Sequence, residues 1–318
     1  SSNVSVASGG GSALSRTVST PQHCGMDSGE YGAFWAGPEL PGDQRFDDAL
    51  SCCFDGTALA ADLDIVGAPQ IRLTLSADTP QGQIAVRLNH VLPDGTSSRI
   101  TYGVLNLTHR DSHADPQPLS PDQSYDVTLD LDHCAYRVPK GHQIRVAIST
   151  SYWPLIWPSR AQTSVQLSKG EIDLPLRPSG HDDEWIFPDA ESDTPWQVTP
   201  LRQGTSTRRT EIDHATGNVS LVITDDFGKV QDDQHGLISG GSAHETWVIH
   251  PDDPLSARGT CAWVDEMQRG EIKLRTETQC KMWSDGDHFH LAARLIAYEN
   301  DRVVYERDVE DLISRHQI

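Results

Sequence analysis

The chain has 318 residues, long enough for a large core and roughly two domains. Its formal charge of −21 disfavours nucleic acid and anionic membrane surfaces as partners and otherwise serves solubility. No run of about 18 apolar residues is present to make a transmembrane helix.

In chain order, residues 1–20 are rich in Ser, Gly, Thr and Val around Gly9-Gly10-Gly11 and read as a loosely attached arm. Residues 21–54 mix Pro, Gly and acidic groups with Tyr31, Phe34 and Trp35, aromatics expected to pin an irregular segment to a surface. PGDQRFDDA (Pro41–Ala49) is too polar for a core element and is expected to cross the surface. Residues 1–54 together are expected to form an irregular arm and linker.

From Ile71 onward, apolar residues alternate with polar ones at the period of two that a half-buried strand requires. Ile71, Leu73 and Leu75 do so, then Ile84, Val86 and Leu88. Asp94-Gly95 is a favoured hairpin dipeptide, and Ile100–Leu107 follows it as a strand. His109–Gln123 is a long polar connection with three prolines. Tyr125, Val127, Leu129 and Leu131 alternate again, followed by Ile144–Ile148, by Val165 with Leu167, and by Ile172, Leu174 and Leu176. Many short strands with Gly/Pro turns predict an all-β β-sandwich over 55–200, and the one long crossover suits a jelly-roll or Greek-key topology. Residues 178–210 read as an irregular bridge, acidic at His181–Glu184. Strands then resume at Val219–Ile223, Thr246–Ile249, Glu271–Thr278, Phe289–Tyr298 and Val303–Tyr305, with Asp285-Gly286 and Asn300-Asp301 as hairpin turns. Residues 201–318 are therefore a second, C-terminal all-β block or extension.

One strand ends unusually. GHQIRVAISTSYWPLIWP (Gly141–Pro158) alternates through Ile144, Val146 and Ile148, then breaks into Tyr152-Trp153-Pro154 and Trp157-Pro158. Proline donates no ladder hydrogen bond, so a strand delivers an aromatic loop to an edge of the fold. Tyr152, Trp153 and Trp157 are the candidate ligand- or domain-contact residues. They could stack on a sugar or line an acyl pocket, or they could pack against another domain.

Catalytic and metal-binding patterns are absent from the sequence. No serine sits in a strand–GxSxG–helix setting, Gly240-Gly241-Ser242 being the nearest in composition. His288 and His290 share a strand face, with Asp287 on the opposite face and Asp285 in the adjoining turn, but no third ligand is identified, and His244-Glu245 lacks the second His of HExxH. His109 and His113 fall in a loop. Asp225-Asp226 and Asp252-Asp253 lack calcium-loop spacing. The six cysteines (Cys24, Cys52, Cys53, Cys134, Cys261 and Cys280) contain no CxxC and read as thiols of a reducing, cytoplasmic compartment, with Cys52-Cys53 as two small hydrophobes. No catalytic residue, metal or cofactor is expected. The chain begins at Ser1 without a basic n-region and apolar h-region, so it reads as an excised piece or processed product.

FDGTALAADLDIVGAPQIRLTLSADTPQGQIAVRLNHVLPDG (Phe54–Gly95), YGVLNLTHRDSH (Tyr102–His113) and the aromatic stretch resemble the C-terminal domain of the X-prolyl dipeptidyl peptidase and cocaine esterase (CocE/NonD) family of serine hydrolases. PGDQRFDDA resembles the segment that joins the α/β-hydrolase body to that domain. HPDDPLSARG (His250–Gly259) and Leu295–Arg307 resemble the tail of longer bacterial members. The resemblance implies a jelly-roll β-sandwich of the galactose-binding-like kind as the accessory portion of a serine hydrolase, non-catalytic by itself, with the triad in an absent α/β-hydrolase domain. It also implies a role in shaping the pocket or mediating domain and homo-oligomer contacts. An independent carbohydrate- or ligand-binding β-sandwich is the alternative.

Overall fold

The computed structural model describes residues 2–7, 15–31, 39–177 and 186–317, with backbone alone for 2–7. Among them the chain is all-β, its paired strands forming three antiparallel sheets, and no helix is long and apolar enough to cross a membrane. It divides into two compact units. One comprises Ser1–Ser179, Ile249–Leu255 and Arg315–Ile318; the other comprises Gly180–Val248 and Ser256–Ser314.

The first unit is built from β1 (Ser2–Ala7), β2 (Arg16–Val18), the helix α1 (Arg45–Ala49), β3 (Cys52–Asp55), β4 (Leu63–Gly67), β5 (Gln70–Ala77), β6 (Gln83–Val91), β7 (Ser97–Asn106), β8 (Tyr125–Asp130), β9 (Cys134–Val138), β10 (Gln143–Ser149) and β11 (Val165–Leu176). One sheet runs β8-β5-β11-β4-β9, with β1 and β2 both paired to β11, and the other runs β3-β10-β6-β7. Ile71, Leu73 and Leu75 of β5 meet Ile84, Val86 and Leu88 of β6 in one buried apolar cluster, joined by Val127, Leu129, Ile148, Val165, Leu167, Ile172 and Leu174. The apolar parity of β11 switches from odd (Val165, Leu167) to even (Ile172, Leu174). The sequence suggests two strands there. The structure has one, with a register shift between Leu167 and Lys169. The extra residue of a bulge lets both parities point into the same core.

The second unit is one sheet built on β12 (Val198–Arg202), β13 (Thr205–Ile212), β14 (Val219–Asp232), β15 (Ile238–His250), β16 (Asp253–Arg269), β17 (Ile272–Ser284), β18 (His288–Glu299) and β19 (Arg302–Ser314), except that Ile249–Leu255 at the β15–β16 turn fall in the first unit. Its order is β12-β14-β15-β16-β17-β18-β19, with β13 also paired to β14. The turn at Asn300-Asp301 has positive φ at both residues (48° and 66°), the geometry that suits a two-residue hairpin. At Asp94-Gly95 the φ of +87° falls on glycine, and the Asp94 carboxylate accepts the Thr96 N–H at 2.9 Å.

Several sequence expectations are corrected. The arm at 1–20 contributes two strands to the sheet, because β11 offers ladder partners to Ser2–Ala7 and Arg16–Val18. β3, β4, β9 and β16 were not expected, and β12 and β13 replace part of the expected irregular bridge. β3, β4 and β9 are short and carry few alternating apolar residues, and their partners lie far away in sequence. Tyr31 is 88% exposed, where a ring packed onto the surface was expected. Phe34, Trp35, the glycines Gly9–Gly11 and the acidic run His181–Glu184 lie outside the described residues. Finally, Pro41–Ala49 does not merely cross the surface: it carries α1, whose Asp47 and Asp48 are buried.

Candidate functional site

Alternation along β6 sends Ile84, Val86 and Leu88 into the core and Ala85, Arg87 and Asn89 to the opposite face of the smaller sheet. That face should meet water, yet all nine residues of β6 are buried. The cover is formed by residues 20–31 and 39–51, and its centre is Asp48. One carboxylate oxygen accepts from Asn89 Nδ2 at 2.9 Å and lies 3.1 Å from Arg87 Nη1. The other accepts from Ser97 Oγ at 2.7 Å and Arg145 Nη1 at 3.0 Å. Arg145 also grips Asp55 through two bonds of 2.6 and 2.8 Å. Arg87 donates onward to Gln44 Oε1 at 3.0 Å and Ser51 Oγ at 2.8 Å. A charge buried without partners is costly; here donors from three strands converge on one carboxylate.

Asp47, one residue earlier, turns the other way and accepts the backbone N–H groups of Gly25 (2.8 Å) and Asp27 (3.1 Å), so the helix holds the incoming chain. Burial pushes the Asp47 carboxyl above the usual carboxylate range. Burial, with the negative charges of Asp47 and Asp43 nearby, raises Asp27 to about 6. Asp55 is held low by its bond to Arg145. Burial lifts the thiols of Cys24 and Cys53 to about 12, so neither is a ready thiolate.

The aromatic loop seals the same face. Thr150 and Thr20 bond each other's backbone N–H through their hydroxyls (3.0 and 3.2 Å), and Ser151 Oγ donates to Gln22 O at 2.8 Å. Tyr152 OH accepts from Arg99 Nη1 at 2.5 Å, and the Arg99 guanidinium lies 4.4 Å from the Tyr102 ring centroid. Trp153 N donates to Cys24 O at 2.7 Å, and the indole meets Trp157 edge-on with centroids 5.2 Å apart. Gly25, at φ +115°, passes so close that a Cβ there would sit 2.5 Å from the Trp153 carbonyl oxygen. The structure thus brings the three predicted site residues together. Tyr152 (1% exposed) and Trp153 (0%) are sealed, and Trp157 alone stays half-buried.

Asp47, Asp48, Arg87, Asn89 and Arg145 were not singled out from the sequence. An Asp-Asp pair in one polar segment and arginines on two apolar strands is the only trace they leave, and no spacing rule connects them.

The other candidates stay apart. Among the described residues no group of three or more His, Cys, Asp or Glu is placed to hold a metal. His290 Nε2 is 2.8 Å from Asp285, whose carboxylate also caps the N–H groups of Asp287 and His288 in the hairpin turn. Those bonds hold Asp285 well below the usual range. His109 and His113 contact only at 3.3 Å in an exposed loop. Ser97 donates to Asp48, and Ser51 donates to Asp47 O at 2.6 Å, so both serine hydroxyls of the cluster serve structural acceptors. The chemistry of the arrangement is that of a clamp: complementary charges and rings fasten residues 20–31 and 39–51 onto a sheet.

Residues 6–209 match a family described as the X-Pro dipeptidyl-peptidase C-terminal non-catalytic domain. Over 125 residues the chain is 26% identical to a cocaine esterase of Rhodococcus sp. (strain MB1 Bresler), covering 38% of this chain and 21% of the esterase. Among solved structures it is similar to an alpha-amino acid ester hydrolase, with 20% identity and a TM-score of 0.46 over 54% of this chain and 33% of the other. It is also similar to a CocE/NonD family hydrolase of Staphylococcus aureus, with 13% identity and a TM-score of 0.36 over 42% and 32%. The chain spans about a fifth of the esterase and a third of each of these structures.

Proposed function

Because the chain belongs to the X-Pro dipeptidyl-peptidase C-terminal non-catalytic domain family, we propose that it is the accessory β portion of a serine hydrolase of the X-Pro dipeptidyl peptidase or CocE/NonD kind, with its first unit a jelly roll. In this reading it packs against an α/β-hydrolase catalytic domain and shapes that domain's pocket or its contacts. The observation that carries the reading is the family match across residues 6–209, which includes the whole clamp. The clamp's chemistry agrees: nucleophilic catalysis needs a base within hydrogen-bond reach of an activated nucleophile. Here the serine hydroxyls donate to acceptors that are themselves held by cations or by the backbone. The joining segment, residues 41–49, is then fastened onto the smaller sheet through Asp48, and partly exposed Trp157 is the loop aromatic offered to a neighbour.

A fluorophosphonate probe on the purified chain tests the first part: no serine should be labelled, and stoichiometric labelling of one serine overturns the reading. The partner is tested by supplying the α/β-hydrolase portion of such an enzyme as a separate chain. Co-elution on a sizing column is expected, weakened by Trp157→Ala; separate elution of the two chains counts against the proposal. Sugar binding by the aromatic loop is not part of this reading, because Tyr152 and Trp153 present no open ring face. Calorimetry with a sugar panel should therefore be silent.

A further inference from the structure

Cys261 and Cys280 are nineteen positions apart in sequence and belong to no thiol motif, but β16 and β17 place them directly opposite each other in register. Opposed residues of an antiparallel pair have Cα atoms about 4.5–5.5 Å apart and project from the same face. Disulfides bridge Cα separations of about 4.4–6.8 Å, so the pair lies within range whichever kind of ladder position it occupies. Both thiols are free in this structure; Cys280 is exposed and Cys261 half-buried. The Trp263 indole N–H donates to Cys261 Sγ at 2.7 Å, which holds one sulfur in place.

From this geometry we propose that Cys261 and Cys280 form a reversible cross-strand disulfide, a redox-responsive staple on the second unit. The step is thiol–disulfide exchange with a small-molecule disulfide such as oxidised glutathione. The Cys280 thiolate, being exposed, attacks one sulfur of the oxidant, forming a mixed disulfide and expelling one glutathione thiolate. The Cys261 thiolate then attacks Cys280 Sγ, closing the protein disulfide and expelling the second glutathione. Two protein thiols lose two protons and two electrons, and one oxidant disulfide becomes two thiols. Burial and the charge of Glu245 push the Cys261 thiol up to about 11, which suits the resolving position better than the attacking one.

The other cysteines serve as internal controls. Cys52 and Cys53 are adjacent on β3 and point to opposite faces, and Cys24 is sealed beneath the clamp. The inference is independent of the proposed hydrolase role.

The test is to equilibrate the reduced full chain in reduced/oxidised glutathione mixtures, quench with acid, alkylate and map peptides. The expected result is that two alkylatable thiols disappear together, with a peptide joining Cys261 to Cys280, and return on adding dithiothreitol. In Cys261→Ser the reaction should stop at a glutathione adduct on Cys280; in Cys280→Ser, Cys261 should stay alkylatable. A stable glutathione adduct on Cys280 in the unmutated chain, a Cys280–Cys280 link between chains, or no change under excess oxidant would each overturn the proposal.

Discussion

β6 and β19 are both members of antiparallel sheets, yet all nine residues of β6 are buried and all thirteen described residues of β19 are exposed. Alternation does not explain the contrast. β6 lies between β10 and β7 with an apolar core on one face and the Asp48 clamp on the other. Among the described residues β19 has β18 as its only ladder partner and ends its sheet. It carries Glu306, Arg307, Asp308, Glu310 and Asp311, the charges that blunt pairing at an open edge. Large apolar side chains of the second unit follow the same trend: Trp263, Met267, Leu274, Tyr305, Val309 and Ile313 all stay exposed. Burial of a strand is decided by what lies on its two faces and at its edge, and in the first unit one of those covers is polar.

The contrast can be broken most sharply at Asp48. Asp48→Ala leaves Arg87 and Arg145 facing a buried void, and loss of one partner of such a cluster costs about 3–5 kcal/mol. Urea unfolding followed through Trp fluorescence should show this destabilisation, while Glu310→Gln on β19 should leave the midpoint within error. Equal effects at the two sites would end the distinction between a polar cover and a solvated edge.

Trp153→Ala removes the sealed indole from the same cover and should cost about 3–5 kcal/mol, whereas Trp263→Ala on the half-open sheet should cost clearly less. Gly25→Ala comes next. Its Cβ would meet the Trp153 carbonyl oxygen at 2.5 Å in a backbone region that favours glycine, for a loss of about 1–3 kcal/mol in the same assay.

A smaller effect follows from pH. Asp27 is raised to about 6 in the folded chain, above its unfolded value near 4. The folded state therefore binds the proton more tightly. This stabilising contribution is fully present below about pH 4 and is lost as pH rises through about 6. Asp27→Asn should raise the unfolding midpoint at pH 8 and leave it nearly unchanged at pH 4; an equal shift at both pH values would remove Asp27 as the cause.

Much of the fold was legible because its signals are local. β5 reads as a strand from Ile71, Leu73 and Leu75, and the hairpins at Asp94-Gly95 and Asn300-Asp301 follow from residues that tolerate positive φ. The aromatic ending of the stretch after β10 was likewise visible, and its three rings do cluster. The clamp was not legible. Asp47 and Asp48 sit in a run of charge, and Arg87, Asn89 and Arg145 occupy positions that alternation assigns to water.

By itself the sequence determined the all-β class, the register-setting turns and the family, since periodicity, turn chemistry and motif order are properties of neighbouring residues. Only the tertiary structure decided which polar positions were dry, that Trp153 is sealed while Trp157 is half-open, and that Cys261 faces Cys280. Each of those facts depends on which distant strand or segment lies against a face, and no local pattern records that choice.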